Sequence, residues 1–177
     1  KNAVKILEER QVDEISIIRY CRDIDSDDDF KRDIDLVASL DCMTPLAFGG
    51  GIRTSKHLHC LHQLPIERIL LSSAYLDRNM SLIQEAICTF GKQALIAVLP
   101  YRATSTKIEY YHCRLNRYCP CDSNFINQFS NEILLYNTSN EGLAYSSAST
   151  LTQHLPFDTS KVILSGGINR DIINIAR

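Results

Sequence analysis

The chain has 177 residues, a formal net charge of −2, 45% hydrophobic residues and 23% charged ones. That length suffices for one domain with a buried core, expected to run over residues 1–177. The charge balance gives no basic footprint for nucleic acid and no polybasic face for a membrane, and no apolar run reaches the length of a membrane span.

In chain order, helical and strand-like patterns alternate. "NAVKILEER" (2–10) reads as an amphipathic helix and "EISII" (14–18) as a strand. "DFKRDIDLVASL" (29–40) returns to the helical period before the strand-like "PLAF" (45–48). Gly49, Gly50 and Gly51 then break the chain ahead of the helical "SKHLHCLHQ" (55–63). "RILLS" (68–72) precedes "DRNMSLIQEAICTFG" (77–91), in which Leu82, Ile83, Ala86, Ile87 and Phe90 share one face and Gly91 ends the helix. After "ALIAVL" (94–99), the segment 101–123 contains "KIEYYHCRL", which has the pattern of an added β-ribbon. "EILLY" (132–136) and "KVILS" (161–165) bring the strands to six. Nearly continuous apolar strands alternating with helices predict a parallel α/β protein whose strands are buried on both faces.

Three adjacent glycines exceed what an ordinary turn needs. They fit either a tight strand-to-helix turn or a backbone that a phosphate approaches through bare N–H groups. The seven cysteines are odd in number and lie mostly inside apolar runs, as expected of reduced thiols in a cytoplasmic protein. "HCRLNRYCPC" (112–121) lacks a paired C-x2-C, and His57, His59 and His62 lack an acidic or Cys partner at ligand spacing, so neither metal nor cofactor is expected. Tyr110, Tyr111 and Tyr118 read as a packing surface, either core or lid. The halves echo one another: Glu14 and Glu132 open similar strands 118 residues apart, and Gly51 and Gly167 lie 116 apart in "GGGI" and "SGGI".

The ordered set "VDEISII", "PLAFGGGIRT", "ERILLSSA", "FGKQALIAV", "NEILLYN..NEG" and "VILSGGI" resembles the HisF-like cyclase subunits of imidazole glycerol phosphate synthase. The resemblance implies a (β/α)8 barrel of the histidine-biosynthesis type. Strands two to seven fall in this chain, and the first strand and last βα unit fall outside it. It also implies a bis-phosphorylated ribonucleotide ligand and a heterodimer with a glutaminase subunit that supplies ammonia through the barrel.

Carried over position by position, one phosphate site comprises Gly51, Ser72 and Ser73, with Ser72 in place of the family's Asn. The other comprises Gly142, Ser165, Gly166 and Gly167. The cyclase chemistry fares worse. One catalytic Asp belongs to the strand outside this chain, and the other falls on Pro100, which has no proton to exchange. A third acidic position falls on Glu141, one methylene longer than the family's Asp, and the acid after the second strand has become Arg19. At the opposite end Glu14, Arg68 and Glu132 keep the signs of three charges in the family's ammonia-gate ring. Glu67 stands where the family has an Asp facing the glutaminase. Solvated charges capping a barrel floor are the plainer reading of the same residues.

The expectation is therefore a barrel subunit of a glutamine-dependent amidotransferase that binds phosphate and conducts ammonia. It would be a diverged paralogue serving surface-polysaccharide amidation, with its cyclase chemistry lost. The alternatives are an active cyclase in histidine biosynthesis, with Glu141 as substitute base, and a non-catalytic phosphate-binding barrel.

Overall fold

A computed structural model of the chain describes residues 2–20, 26–104, 107–139 and 155–168. In order, its elements are α1 (Asn2–Glu9), β1 (Ile15–Ile18), α2 (Asp27–Ala38), β2 (Leu46–Gly49), α3 (Ser55–His62), β3 (Arg68–Leu71), α4 (Ser73–Leu76), α5 (Met80–Phe90), β4 (Leu95–Ala103), β5 (Ile108–His112), β6 (Arg117–Cys119), α6 (Ser123–Phe129), β7 (Glu132–Asn137) and β8 (Val162–Ser165). β1, β2, β3, β4, β7 and β8 are parallel neighbours in that order. With helices connecting β1 to β2, β2 to β3, β3 to β4 and β4 to β7, they form an arc of a (β/α)8 barrel. β5 and β6 make an antiparallel ribbon on the far end of β4.

The helices start where side chains satisfy their first N–H groups. Ser26 and Asp29 form a reciprocal capping box that begins α2 two residues earlier than its apolar period indicates. Thr54, Asn79 and Asp122 accept from the third residue beyond them and begin α3, α5 and α6. α4 is a single turn and α6 is short with only Ile126 buried, so neither carries a legible helical period. The Tyr75 hydroxyl donates to the Phe129 carbonyl and ties these two short helices together.

Strand alternation divides the core in two. Ile15, Leu46, Phe48, Ile69, Leu71, Leu95, Ala97, Leu99, Ile133 and Leu135 face the helices and pack with Phe30, Leu58, Leu61 and Ile83. Ala47, Leu70, Ile96, Val98 and Leu134 form a separate cluster made only of strand residues. This second cluster lines the lumen, the concave face of the arc.

Five of the six predicted strands agree with the structure to within one residue, but β4 runs four residues beyond Leu99. Pro100 lies inside it, where a proline normally ends a strand. The hydrogen bonds explain why it is tolerated. Asn131 N donates to Leu95 O and Thr138 N to Tyr101 O, so the odd-numbered residues of β4 address β7. The N–H that Pro100 lacks would point away from β7, at the changeover between the last β3 pair, at Leu71, and the first β5 pair, at Tyr101, so the ladder to β7 loses no bond.

Ile83 is completely buried on α5, whereas Leu36 on α2 is 64% exposed. Ile83→Ala is expected to lower unfolding free energy by about 2–5 kcal/mol and Leu36→Ala by less than about 0.5 kcal/mol, measured by urea denaturation.

Candidate functional site

At the N-terminal ends of the strands, Arg68 bridges two carboxylates from other strands. Its Nη1 donates to Glu14 Oε2 at 3.1 Å, and its Nη2 donates to Glu132 Oε2. Glu14 and Arg68 share the strand parity of Ala47 and Leu70, and Glu132 that of Leu134, so all three belong to the lumen side. Their side chains are 22% to 32% exposed, so each pair contributes no more than about 1 kcal/mol to folding. Arg68 Nε is buried with no hydrogen-bond partner among the described residues. Glu67 is exposed beside this floor, its backbone N–H bonded to Leu46 O.

At the C-terminal ends, the glycines acquire two distinct explanations. A side chain on Gly49 would place its Cβ 2.4 Å from Leu70 Cβ. Gly50 has φ +94°, and a Cβ there would lie 2.0 Å from the Arg19 carbonyl oxygen. These two glycines are required by neighbouring strands, as a tight turn alone would require. Gly166 repeats the arrangement in the second half, its φ being +85° and the obstructing atom the Asn137 carbonyl oxygen. Gly51 and Gly167 follow with φ of 76° and 68°. Gly51 and Ser72 each lie two residues beyond the paired Gly49 and Leu70. The Ser72 hydroxyl is buried and has no partner among the described residues. Ser73 begins α4 next to it. Ser165 ends β8 opposite Tyr136. Glu141 and Gly142 lie outside the described residues.

Pro100 projects toward the lumen, paired in register with Tyr136. Among the described residues, the C-terminal halves of the lumen-facing strand positions carry no Asp or Glu on β1, β2, β3, β7 or β8. Arg19 does not take part in this rim. It has the opposite parity, stacks over Phe30 at 5.6 Å and pairs with Asp33 at 2.6 Å in the helix layer. His57 likewise serves packing: it stacks on Phe30, accepts from Arg53 N through Nδ1 and meets Asp27 through Nε2. Burial pushes the Cys121 thiol up to about 11, so it is protonated at neutral pH. Among the described residues no group of three His, Cys, Asp or Glu side chains could hold a metal ion.

Sequence reasoning missed the polar groups that anchor the ribbon. Asp77 accepts from His112 and Arg114, and Glu109 pairs with Lys107 and Arg102. The available signal was the alternation of "IEYYH", which sends Glu109 and Tyr111 to one side and Tyr110 and His112 to the other. Tyr110 is core, packed against Phe157, while Tyr111 and Tyr118 pack edge to face on the other side.

The model of the histidine biosynthesis protein family matches residues 2–176. A Pseudomonas aeruginosa protein provisionally named imidazole glycerol phosphate synthase subunit hisF2 is 30% identical over 104 residues, covering 57% of this chain and 39% of the relative. A Vibrio vulnificus protein with the corresponding provisional name hisF3 is 33% identical over 103 residues, covering 55% of the chain and 37% of the relative. A provisionally named HisF subunit from Leptospira interrogans is 25% identical over 103 residues, with coverages of 58% and 40%. The chain thus matches about two fifths of the length of these relatives.

Lys107, and after it Arg102, hold the Glu109 carboxyl below its ordinary value of 4.5. A lowered carboxylate pKa adds stability that is complete above the ordinary value and is lost as pH falls through the folded one. The side-chain titration of Glu109, followed by NMR, is expected to have its midpoint below that of an ordinary glutamate. Lys107→Ala is expected to raise it.

Proposed function

The chain belongs to the histidine biosynthesis protein family, and we propose that it is a HisF-like barrel that passes ammonia from a glutaminase partner without closing an imidazole ring. One observation carries this reading: the two ends of a single lumen have different chemistry. The floor holds Arg68 between Glu14 and Glu132, and the rim has Pro100 where the family places an acid.

The floor is poorly explained by stability. An arginine whose Nε is buried without a partner carries a desolvation cost of about 1–3 kcal/mol, comparable to the gain from its two ion pairs. An apolar residue would fill the position without that cost. A cation fixed between two carboxylates instead suits a polar constriction at the mouth of an otherwise apolar passage. Above it, Ala47, Leu70, Ile96, Val98 and Leu134 give a lining that favours neutral ammonia over ammonium. Glu67 would face the glutaminase, which completes the proposed heterodimer.

The rim supports binding better than acid–base catalysis. Gly51 with Ser72 and Ser73, and Gly167 with Ser165 and Gly166, would offer backbone N–H and hydroxyl donors to two phosphates. Gly142 would join the second group. Loss of an acid–base group typically costs about 10²–10⁴ in rate, and Glu141 is the substitute base to which the resemblance points. A barrel that keeps its conduit and its anion sites but not its cyclase acid fits delivery of ammonia to a separate acceptor. Amidation of a surface-polysaccharide sugar is the role we assign.

The test uses the full-length protein with a glutaminase subunit of the same synthase type. Arg68→Ala is expected to leave the complex intact while changing the ratio of amination to glutamine hydrolysis. Glu67→Lys is expected to weaken the complex by reversing charge at the contact. Absence of any complex at micromolar concentration, or an unchanged ratio in Arg68→Ala, would contradict the conduit.

A further inference from the structure

β3 stops pairing with β4 at Leu71, and from Tyr101 onward β5 pairs with β4 instead. β7 occupies the other edge of β4 as far as Tyr101. The ribbon therefore lies on the β3 side, above the point where β3 hands over to Ser72 and Ser73. Two sets of contacts hold it there. On one flank, Asp77 receives His112 Nε2 at 2.9 Å on one carboxylate oxygen and Arg114 Nη2 at 2.7 Å on the other. On the other flank, the Tyr118 hydroxyl lies 3.3 Å from Thr138 Oγ1, which also donates to the Tyr101 carbonyl. The Arg102 guanidinium lies 3.7 Å over the Tyr118 ring.

The Asp77 clamp has a defined proton. Nδ1 of His112 accepts from Leu115 N, which leaves the hydrogen on Nε2 to donate to Asp77. His112 is only 1% exposed, so this bond is sheltered from water. Asp77 in turn is the residue that closes α4, its own N–H bonded to the Ser73 carbonyl at 2.8 Å. The next residue, Arg78, pairs with Asp122 at the start of α6. A path of hydrogen bonds thus runs from the ribbon through Asp77 to Ser73, whose neighbour Ser72 has a buried hydroxyl with no partner among the described residues.

We propose that Asp77 and His112 are positioning residues: they fix the ribbon as a rigid wall over the end of β3 and thereby set the placement of Ser72 and Ser73 for a phosphate group. This rests on the phosphate reading of Gly51, Ser72 and Ser73 given above. It differs from a lid, which would need the ribbon to be released from at least one flank. A wall pre-organises the donors before ligand arrives, and its value appears as affinity.

The experiment titrates inorganic phosphate into the full chain and follows backbone amides by NMR, with hydrogen exchange measured on the same samples. The Gly166 and Gly167 amides serve as the internal control, since the clamp does not reach them. Asp77→Ala is expected to weaken phosphate binding at Ser72 and Ser73 about tenfold or more, while leaving binding at Gly166 and Gly167 unchanged. Asp77→Asn keeps the acceptor for His112 and is expected to restore most of the loss. Asp77→Ala should also speed exchange of the Ser73–Asp77 and Tyr110–His112 amides without changing that of Ile83 in α5. Equal weakening at both anion groups would reduce the clamp to general stability and overturn the proposal. If wild-type protein shows no phosphate response at Ser72 and Ser73, the phosphate reading fails, and with it the ligand role of the clamp. Unchanged exchange at Ser73–Asp77 in Asp77→Ala would overturn the positioning claim whatever phosphate does. Should Asp77→Ala not fold, Arg114→Ala removes one arm of the clamp at an exposed residue and is read by the same two measurements.

Discussion

A parallel strand in a barrel must bury two faces against different surroundings, and every feature of this chain follows from which face a residue is assigned. One parity meets the helices and carries Ile15, Phe48, Leu71 and Leu135. The other meets the lumen and carries Ala47, Leu70, Ile96 and Leu134. A shift of one residue in register would exchange the two sets and turn Glu14, Arg68 and Glu132 toward the helix layer. The floor charges can meet across three strands only because the middle of the same lumen face is apolar and holds the register.

That constraint also separates two arginines of very different meaning. Arg68 has lumen parity and bridges carboxylates from two other strands. Arg19 has helix parity, and its charge is absorbed by Asp33 and the face of Phe30. In sequence both are simply basic residues at strand ends. The replacement of an acid by Arg19 therefore says less about the rim than Pro100, which does project into the lumen.

Strand positions were legible because strands buried on both faces are continuous in hydrophobicity, and the resemblance supplied their closure into a barrel. The overshoot of β4 was not legible, since Pro100 reads as a terminator until its missing N–H is seen to point away from β7, where β4 changes partner from β3 to β5. α4 and α6 are too short to show a period. The glycine triplet left a tight turn and a phosphate-facing backbone both open, and at Gly49 and Gly50 the approaching atoms belong to Leu70 and Arg19. The His112–Asp77 contact spans 35 residues and depends on where a ribbon folds back, which no local pattern encodes. The floor ring was legible only through the resemblance, because charges opening apolar strands are common.

The two ends of the lumen therefore differ, with Arg68 between Glu14 and Glu132 at the floor and Pro100 at the rim. The ribbon lies on the β3 side of that rim, and its two flanking sets of contacts tie it to the scaffold. Ammonia delivered through such a lumen would meet anion donors but no lumen-facing carboxylate on the C-terminal halves of β1, β2, β3, β7 or β8, while Glu109 on the ribbon is held in ion pairs by Arg102 and Lys107. The most direct test supplies the native full-length protein with ammonia and the bis-phosphorylated ribonucleotide used by HisF-like cyclases and measures imidazole product. The account predicts no detectable turnover; turnover within about tenfold of an ordinary family cyclase, above the about 10²–10⁴ loss expected without the acid, would contradict it.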